Sequence, residues 1–482
     1  MTGSDDSLYA AVRCIEYERP GFGQRVGYTG RHFTTLGNTF TVHLPPGAAT
    51  VRIERGKEYI PSEETITVAA GKTIEKTFRM TRWIHMADRG WYSGDTHVHR
   101  ALNELADLLH AEDLNVAVPQ TVWSDRRADD LDSWLAKADS LGAITVDSSH
   151  VFSVLSHEIE RFKVGALFMH YTCKTELTTS GADDRTPTNL SLMEQAHALG
   201  GYCEVEKPWW PESHIDVAVG KADFIGIANN HMLYKSYLSE HPRLRSEFRP
   251  DYPDGVAGYV DYVLDLYYAY LNCGFRVMPS AGSASGVLPN PLGYNRAYVK
   301  TDGDFSYENW FRGLKAGRSF VTNGPLLIMT ADGQDPGATI EATGATHTVH
   351  VVCELFSLVP LSRFEIIRDG GIVFTAKPEL TGNTARIEAD IPFDESGWCA
   401  ARCFEDIADN VRFAHTAPVF VEIAGKPFRT KRSAAEYFLR KTDELIATAK
   451  NEEFKTPEAR KATMDVYNRA RDIYAGLVKR GR

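Results

Sequence analysis

The chain has 482 residues, too many for one hydrophobic core, and at ~150 residues per domain there is room for about three. With 43% hydrophobic and 24% charged residues it carries ample material for folded cores, which excludes a disordered chain. A formal net charge of -11 argues against nucleic acid or an anionic membrane as the main partner, since both demand a basic face.

In chain order, residues 1–87 read as a small N-terminal β-sandwich. Thr39–Leu44 and Thr73–Met80 alternate, Thr50–Glu54 and Ile66–Val68 lie between them, and Pro45-Pro46-Gly47 and Gly71 turn the chain. Residues 88–325 change to apolar runs alternating with amphipathic helices. Strands are predicted at Asn115–Val118, Ala143–Val146, Val164–Met169, Tyr202–Val205, Phe224–Ala228 and Phe275–Met278. Helices are predicted at Glu104–Ala111, Leu131–Leu141, Ser191–Leu199, Tyr259–Leu271 and Phe305–Ala316. Such alternation predicts parallel strands joined by crossovers, closed into an α/β barrel. Residues 326–425 return to β and read as a C-terminal β-sandwich. Residues 426–482 form a helical tail, with Ser433–Ala449 and Pro457–Val478 as a hairpin.

Seven cysteines, scattered and odd in number, read as reduced thiols rather than a disulfide framework. The opening residues lack the charged and apolar stretches of a signal peptide, and no run of about 18 apolar residues is present to span a bilayer. The expectation is a soluble, cytoplasmic protein.

The sharpest chemical signal is Gly94-Asp95-Thr96-His97-Val98-His99. Histidines at i and i+2 on a strand share a face, so His97 and His99 can reach one divalent cation. Further candidates stand near later strand ends: His157 and Glu158, His170, Glu204, Glu206 and Lys207, then Asn229, Asn230 and His231. One shared cation would explain the set. Each taken alone is equally well a cap, a surface carboxylate or a backbone-bonded histidine. Trp209 and Trp210 can stack on a planar ring or a sugar, or serve as core aromatics. Tyr294, Asn295 and Arg296, in a polar segment expected at the site rim, can anchor an anionic or polyhydroxylated substrate, or form a well-bonded turn. Lys207 is open to three readings: an ion pair with a neighbouring glutamate, an oxyanion-stabilising cation, or a carboxylated metal bridge.

Trp91-Tyr-Ser-Gly-Asp-Thr-His-Val-His99 resembles the opening motif of the PHP superfamily of metallohydrolases, in its carbaryl-hydrolase-like branch. Ala316-Gly-Arg-Ser-Phe-Val-Thr-Asn-Gly-Pro325 is similar to that branch's closing segment, and Ala414–Val421 looks like part of its C-terminal sandwich. The resemblance implies a distorted (β/α)7 barrel between the two small sandwiches, with Zn, Mn or Fe ions bound. Carried over by position, it implies metal ligation by His97, His99, Glu158 and His170. The chain also departs from the pattern. Val118–Trp123 offers no ligand, Lys207-Pro208 stands where the family has His-Pro, and Ser283-Ala284-Ser285-Gly286 lacks an aspartate and a histidine. One or two ions per chain are therefore expected, with His231 recruited to the site.

The function expected is metal-dependent hydrolysis of a small-molecule ester, amide or carbamate, with Glu206, Lys207 and Arg296 as catalytic groups. Trp209, Trp210, Tyr294 and Asn295 would bind the substrate, and a homo-oligomer is plausible. The alternatives are a metal-dependent lyase acting on a sugar or aromatic compound, and a non-catalytic ligand-binding pseudoenzyme.

Overall fold

The structure is a computed structural model and describes residues 1–16, 33–171, 173–175, 184–233, 249, 251–408 and 410–481. The expected (β/α)7 barrel is not what these residues build. Most strands fall into a 7-stranded and a 12-stranded sheet, and antiparallel pairs are frequent in both. Ser156–Arg161 and Gly165–His170 form an antiparallel hairpin with Glu158 opposite Phe168, and Gly165–His170 runs antiparallel to Tyr202–Val205 as well. Trp91–Val98 lies between a parallel neighbour, Val116–Pro119, and an antiparallel one, Arg296–Lys300. The reason lies in how the strands are joined. Antiparallel neighbours can be joined by a tight turn such as Phe162-Lys163-Val164, whereas parallel neighbours require a crossover.

The 12-stranded sheet continues past the segment expected to close the barrel. Ser319–Thr322 pairs with Phe413–Thr416, which in turn pairs with Gly397–Glu405. A 3-stranded sheet (Leu326–Ala331, His347–Phe356, Thr384–Phe393) packs against this half. Leu327, Met329, Val351 and Cys353 share one core there with Phe364, Ile366, Ala401 and Cys403. Gly397–Glu405 is buried on both faces, sending Ala401 and Cys403 into this core and Ala400 and Phe404 into the other.

The N-terminal region forms no sandwich among the described residues. Gly47–Ile53 pairs with Ser62–Val68 as a two-stranded ribbon, and the expected strands at 39–44 and 73–80 are not strands. Their apolar residues alternate, but no sheet among the described residues includes them.

Two tail helices, Arg432–Lys450 and Pro457–Arg480, pack as a hairpin. Thr456 accepts the Ala459 N–H at 3.1 Å and Pro457 opens the second helix, a strong start signal. This helix is anchored on the body through Tyr467, whose hydroxyl donates to Glu212 and accepts from Arg185 at 2.5 Å. All seven cysteines are free thiols. No helix among the described residues is long and apolar enough to cross a membrane.

Candidate metal centre

His97 sits in the Trp91–Val98 strand and His99 one residue beyond its end, so the period of two aims both rings the same way. The loop that follows Met278–Ala281 fixes this end. The Ala284 N–H donates to the His97 carbonyl and the His99 N–H to the Ser285 carbonyl, both at 2.7 Å. Gly282 lies under His97, where a side-chain carbon would overlap the His97 Cβ.

The two Nε2 atoms stand 3.0 Å apart. Glu158, from the facing strand of the 7-stranded sheet, brings Oε2 to 3.1 Å from His99 Nε2 and 3.7 Å from His97 Nε2. The donor atoms of His97, His99 and Glu158 all lie within 4.8 Å of one another. Glu158 Oε2 is buried and accepts no hydrogen bond among the described residues. An unsatisfied buried carboxylate oxygen is costly, and a cation would satisfy it. Burial, then the nearby His99, Lys207, His231 and His170, holds the His97 imidazole well below its ordinary pKa. The neutral ring is the form that ligates metals, so the donor set fits one divalent ion.

Glu206, just past Tyr202–Val205, faces His97 Nδ1 at 3.5 Å. It also accepts the Lys207 ammonium and, at 2.6 Å, the Trp210 indole N–H. Burial raises the Glu206 pKa above the ordinary range, with Lys207 opposing the rise. Lys207 is only 2% exposed, and its Nζ lies 5.0 Å from the Trp210 ring centroid. Of the three readings of Lys207, the ion pair with Glu206 is the contact the structure contains.

Other sequence candidates are engaged in different ways. His170 points both ring nitrogens into a buried polar chain, with Nε2 3.0 Å from Glu204 Oε2 and Nδ1 3.1 Å from Ser156 Oγ. Glu204 also accepts from Ser280 at 2.7 Å and from Thr96 at 3.2 Å. His157 turns to the Ser124 carbonyl at 3.2 Å. His231 lies in the short helix Asn230–Leu233, its ring 6.0 Å from that of Trp209. Trp209 donates to the Tyr259 hydroxyl at 3.0 Å, and that hydroxyl donates to Asn229 at 2.9 Å.

The 294–296 segment is fastened mainly to backbone carbonyls. Arg296 is 1% exposed and donates to the carbonyls of Gly293, Glu112 and Asp113. Asn295 donates to the carbonyls of Asn229 and Gly282. The Tyr294 hydroxyl accepts from Asn410 at 2.7 Å.

One residue of the site lay inside the opening motif without a role assigned to it. Asp95 is fully buried and accepts four hydrogen bonds: the N–H groups of His97, Ser283 and Gly293, and the Ser283 hydroxyl. Burial pushes its carboxyl up to about 6 against the pull of those donors. The available signal was its spacing, because an aspartate two residues before a ligand can reach the ligand's own N–H.

Comparison with protein-family models gives no match, and comparison with curated proteins gives none either. Among solved structures, the fibronectin(III)-like modules of Clostridium thermocellum CbhA match at 19% identity and a TM-score of 0.14. That match covers 20% of this chain and 96% of that one, a likeness too slight to bear on fold or function.

Proposed function

We propose that this chain is a metal-dependent hydrolase acting on a small-molecule ester, amide or carbamate. The observation that carries the reading is the convergence of His97, His99 and Glu158, with a buried oxygen of Glu158 left without a hydrogen bond. The resemblance of Trp91–His99 to the opening motif of PHP metallohydrolases supports it.

His97, His99 and Glu158 would hold one divalent ion, Zn or Mn by the chemistry of the donors. Such an ion supplies Lewis-acid polarisation and makes water acidic enough to react near neutral pH. The chain's own groups do the rest. Glu206, raised by burial above its ordinary range and 3.5 Å from His97 Nδ1, is placed to act as the proton acceptor. Lys207 directs a buried ammonium at Glu206 and is the cation best placed to steady negative charge developing on a substrate oxygen. Trp210 holds Glu206 from its other side.

The test is metal analysis joined to isotope labelling. We expect the reconstituted chain to bind Zn or Mn, and to bind one equivalent fewer after the double substitution His97→Ala and His99→Ala. Oxygen from labelled water should appear in the product of a turned-over ester or carbamate. A metal content unchanged by the double substitution would refute the site. Product without label would replace hydrolysis by elimination.

A further inference from the structure

We propose that His110, Asp147 and His150 form a second site for a divalent transition metal, at the outer edge of the 12-stranded sheet. The helix Leu105–Glu112 supplies His110. Asp147 ends the edge strand Ala143–Asp147, and His150 begins the next strand directly opposite it across a two-residue turn. His110 Nε2 lies 2.7 Å from Asp147 Oδ2, and His150 Nδ1 lies 2.8 Å from Oδ1. The two rings meet edge to face with centroids 4.8 Å apart. All three donor atoms fall within 4.8 Å of one another.

What distinguishes this cluster is that both side-chain partners of Asp147 are imidazoles. The Ser149 N–H donates to Asp147 Oδ1 at 2.8 Å and sets the orientation of the carboxylate. Among the described residues, no lysine or arginine pairs with Asp147. The grouping of His197, Cys203 and Asp223 provides the contrast. There the Lys315 ammonium already neutralises Asp223, and burial keeps Cys203 in its thiol form. Around Asp147, by contrast, the side-chain partners among the described residues are His110 and His150, both able to ligate a metal.

Two imidazoles and one carboxylate select Zn, Co, Ni or Cu over Ca or Mg, which prefer all-oxygen shells. The side chains of His110 and Asp147 are 47% and 41% exposed, so solvent can complete the coordination. The bound ion would clamp the helix after His99 to the edge of the sheet, adding a cross-link where no further strand pairs among the described residues.

The inference stands apart from the hydrolase reading, and the experiment keeps them distinct. The full chain carrying His97→Ala and His99→Ala is titrated with Zn by calorimetry and with Co by visible absorption. We expect one equivalent bound, a melting temperature that rises with Zn, and at least a tenfold loss of affinity on adding His110→Ala. If circular dichroism shows that the double variant does not fold, His110→Ala is made alone in the otherwise unaltered chain, where bound metal should fall by one equivalent. Unchanged stoichiometry and affinity on introducing His110→Ala would overturn the proposal in either background.

Discussion

The N–H of Gly293 donates to the carboxylate of Asp95 at 2.8 Å, joining the strand that carries His97 to a loop 198 positions further along the chain. The same carboxylate accepts from Ser283 and from the His97 backbone, so one side chain sets both the ligand strand and the loop beneath it. Asp95→Asn keeps the shape but turns an amide donor toward donors that need an acceptor. We expect a loss of about 2–3 kcal/mol in urea unfolding and about a tenfold weaker metal affinity. Unaltered unfolding and metal binding in this variant would remove Asp95 from that role.

Glu158→Gln should separate binding from stability. The wild-type chain without metal buries a carboxylate oxygen that receives no hydrogen bond, and a neutral amide is cheaper to bury there. Metal affinity should drop at least tenfold while the metal-free protein unfolds at the same or a higher temperature. A large destabilisation of the metal-free form would show that Glu158 is structural.

Gly282→Ala adds a single carbon against the His97 Cβ. Because that neighbour is the root of a proposed ligand and not a flexible tip, the imidazole is expected to move. Reduced metal occupancy with near-normal circular dichroism is the expected result, and full occupancy would mean that the loop yields instead.

Tyr467→Phe removes the hydroxyl shared by Glu212 and Arg185. Glu212 then stays buried with its nearest cation, Arg185 NH1, at 3.6 Å. The cost should be about 1–3 kcal/mol, and limited proteolysis should cut the tail helices sooner than in the parent chain.

Two buried histidines make the fold sensitive to acid. His214 is held at about 3 by burial and then by Lys441, and His415 at about 3 by burial and then by Arg402. The Tyr268 hydroxyl at His415 Nε2 and the Thr416 carbonyl at Nδ1 fit a neutral ring that donates only from Nδ1. Both folded values lie below the ordinary 6.5, so their contribution is complete above that pH. As pH falls from 6.5 toward 3 the unfolded chain takes up protons that the folded chain refuses. Each histidine then withdraws up to about 1.4 kcal/mol per pH unit. Asp95, raised to about 6, works in the opposite direction, losing its stabilising contribution as pH rises through that value. The comparison that isolates a histidine is therefore the stability gap between wild type and His415→Gln at pH 7.5 and pH 5. That gap should shrink on acidification, and a constant gap would contradict the assignment.

Single elements were far more legible in the sequence than the way they pair. Tyr202–Val205 and Phe224–Ala228 are strands as read, and the tail helices lie close to their expected bounds, because apolar runs, caps and helical periodicity are local signals. Strand direction is not local. Ser156–Arg161 carries alternating polar residues whose partners, Gln120, His170 and His99, lie elsewhere in the chain, so its hairpin with Gly165–His170 left no local mark. For the site, the i, i+2 rule correctly put the His97 and His99 rings together. Nothing comparable could tell that His170 would turn to Glu204, or that Arg296 would be tied to carbonyls, since those partners are set by register between distant strands.

The union of Ser319–Thr322 with Phe413–Thr416 has a practical consequence for anyone dissecting this protein. A chain cut near residue 325 would keep the proposed ligands yet expose a raw row of amide and carbonyl groups along a strand built to be interior. Such a fragment should clump or misassemble rather than work alone, so the two halves are best purified and assayed as one piece.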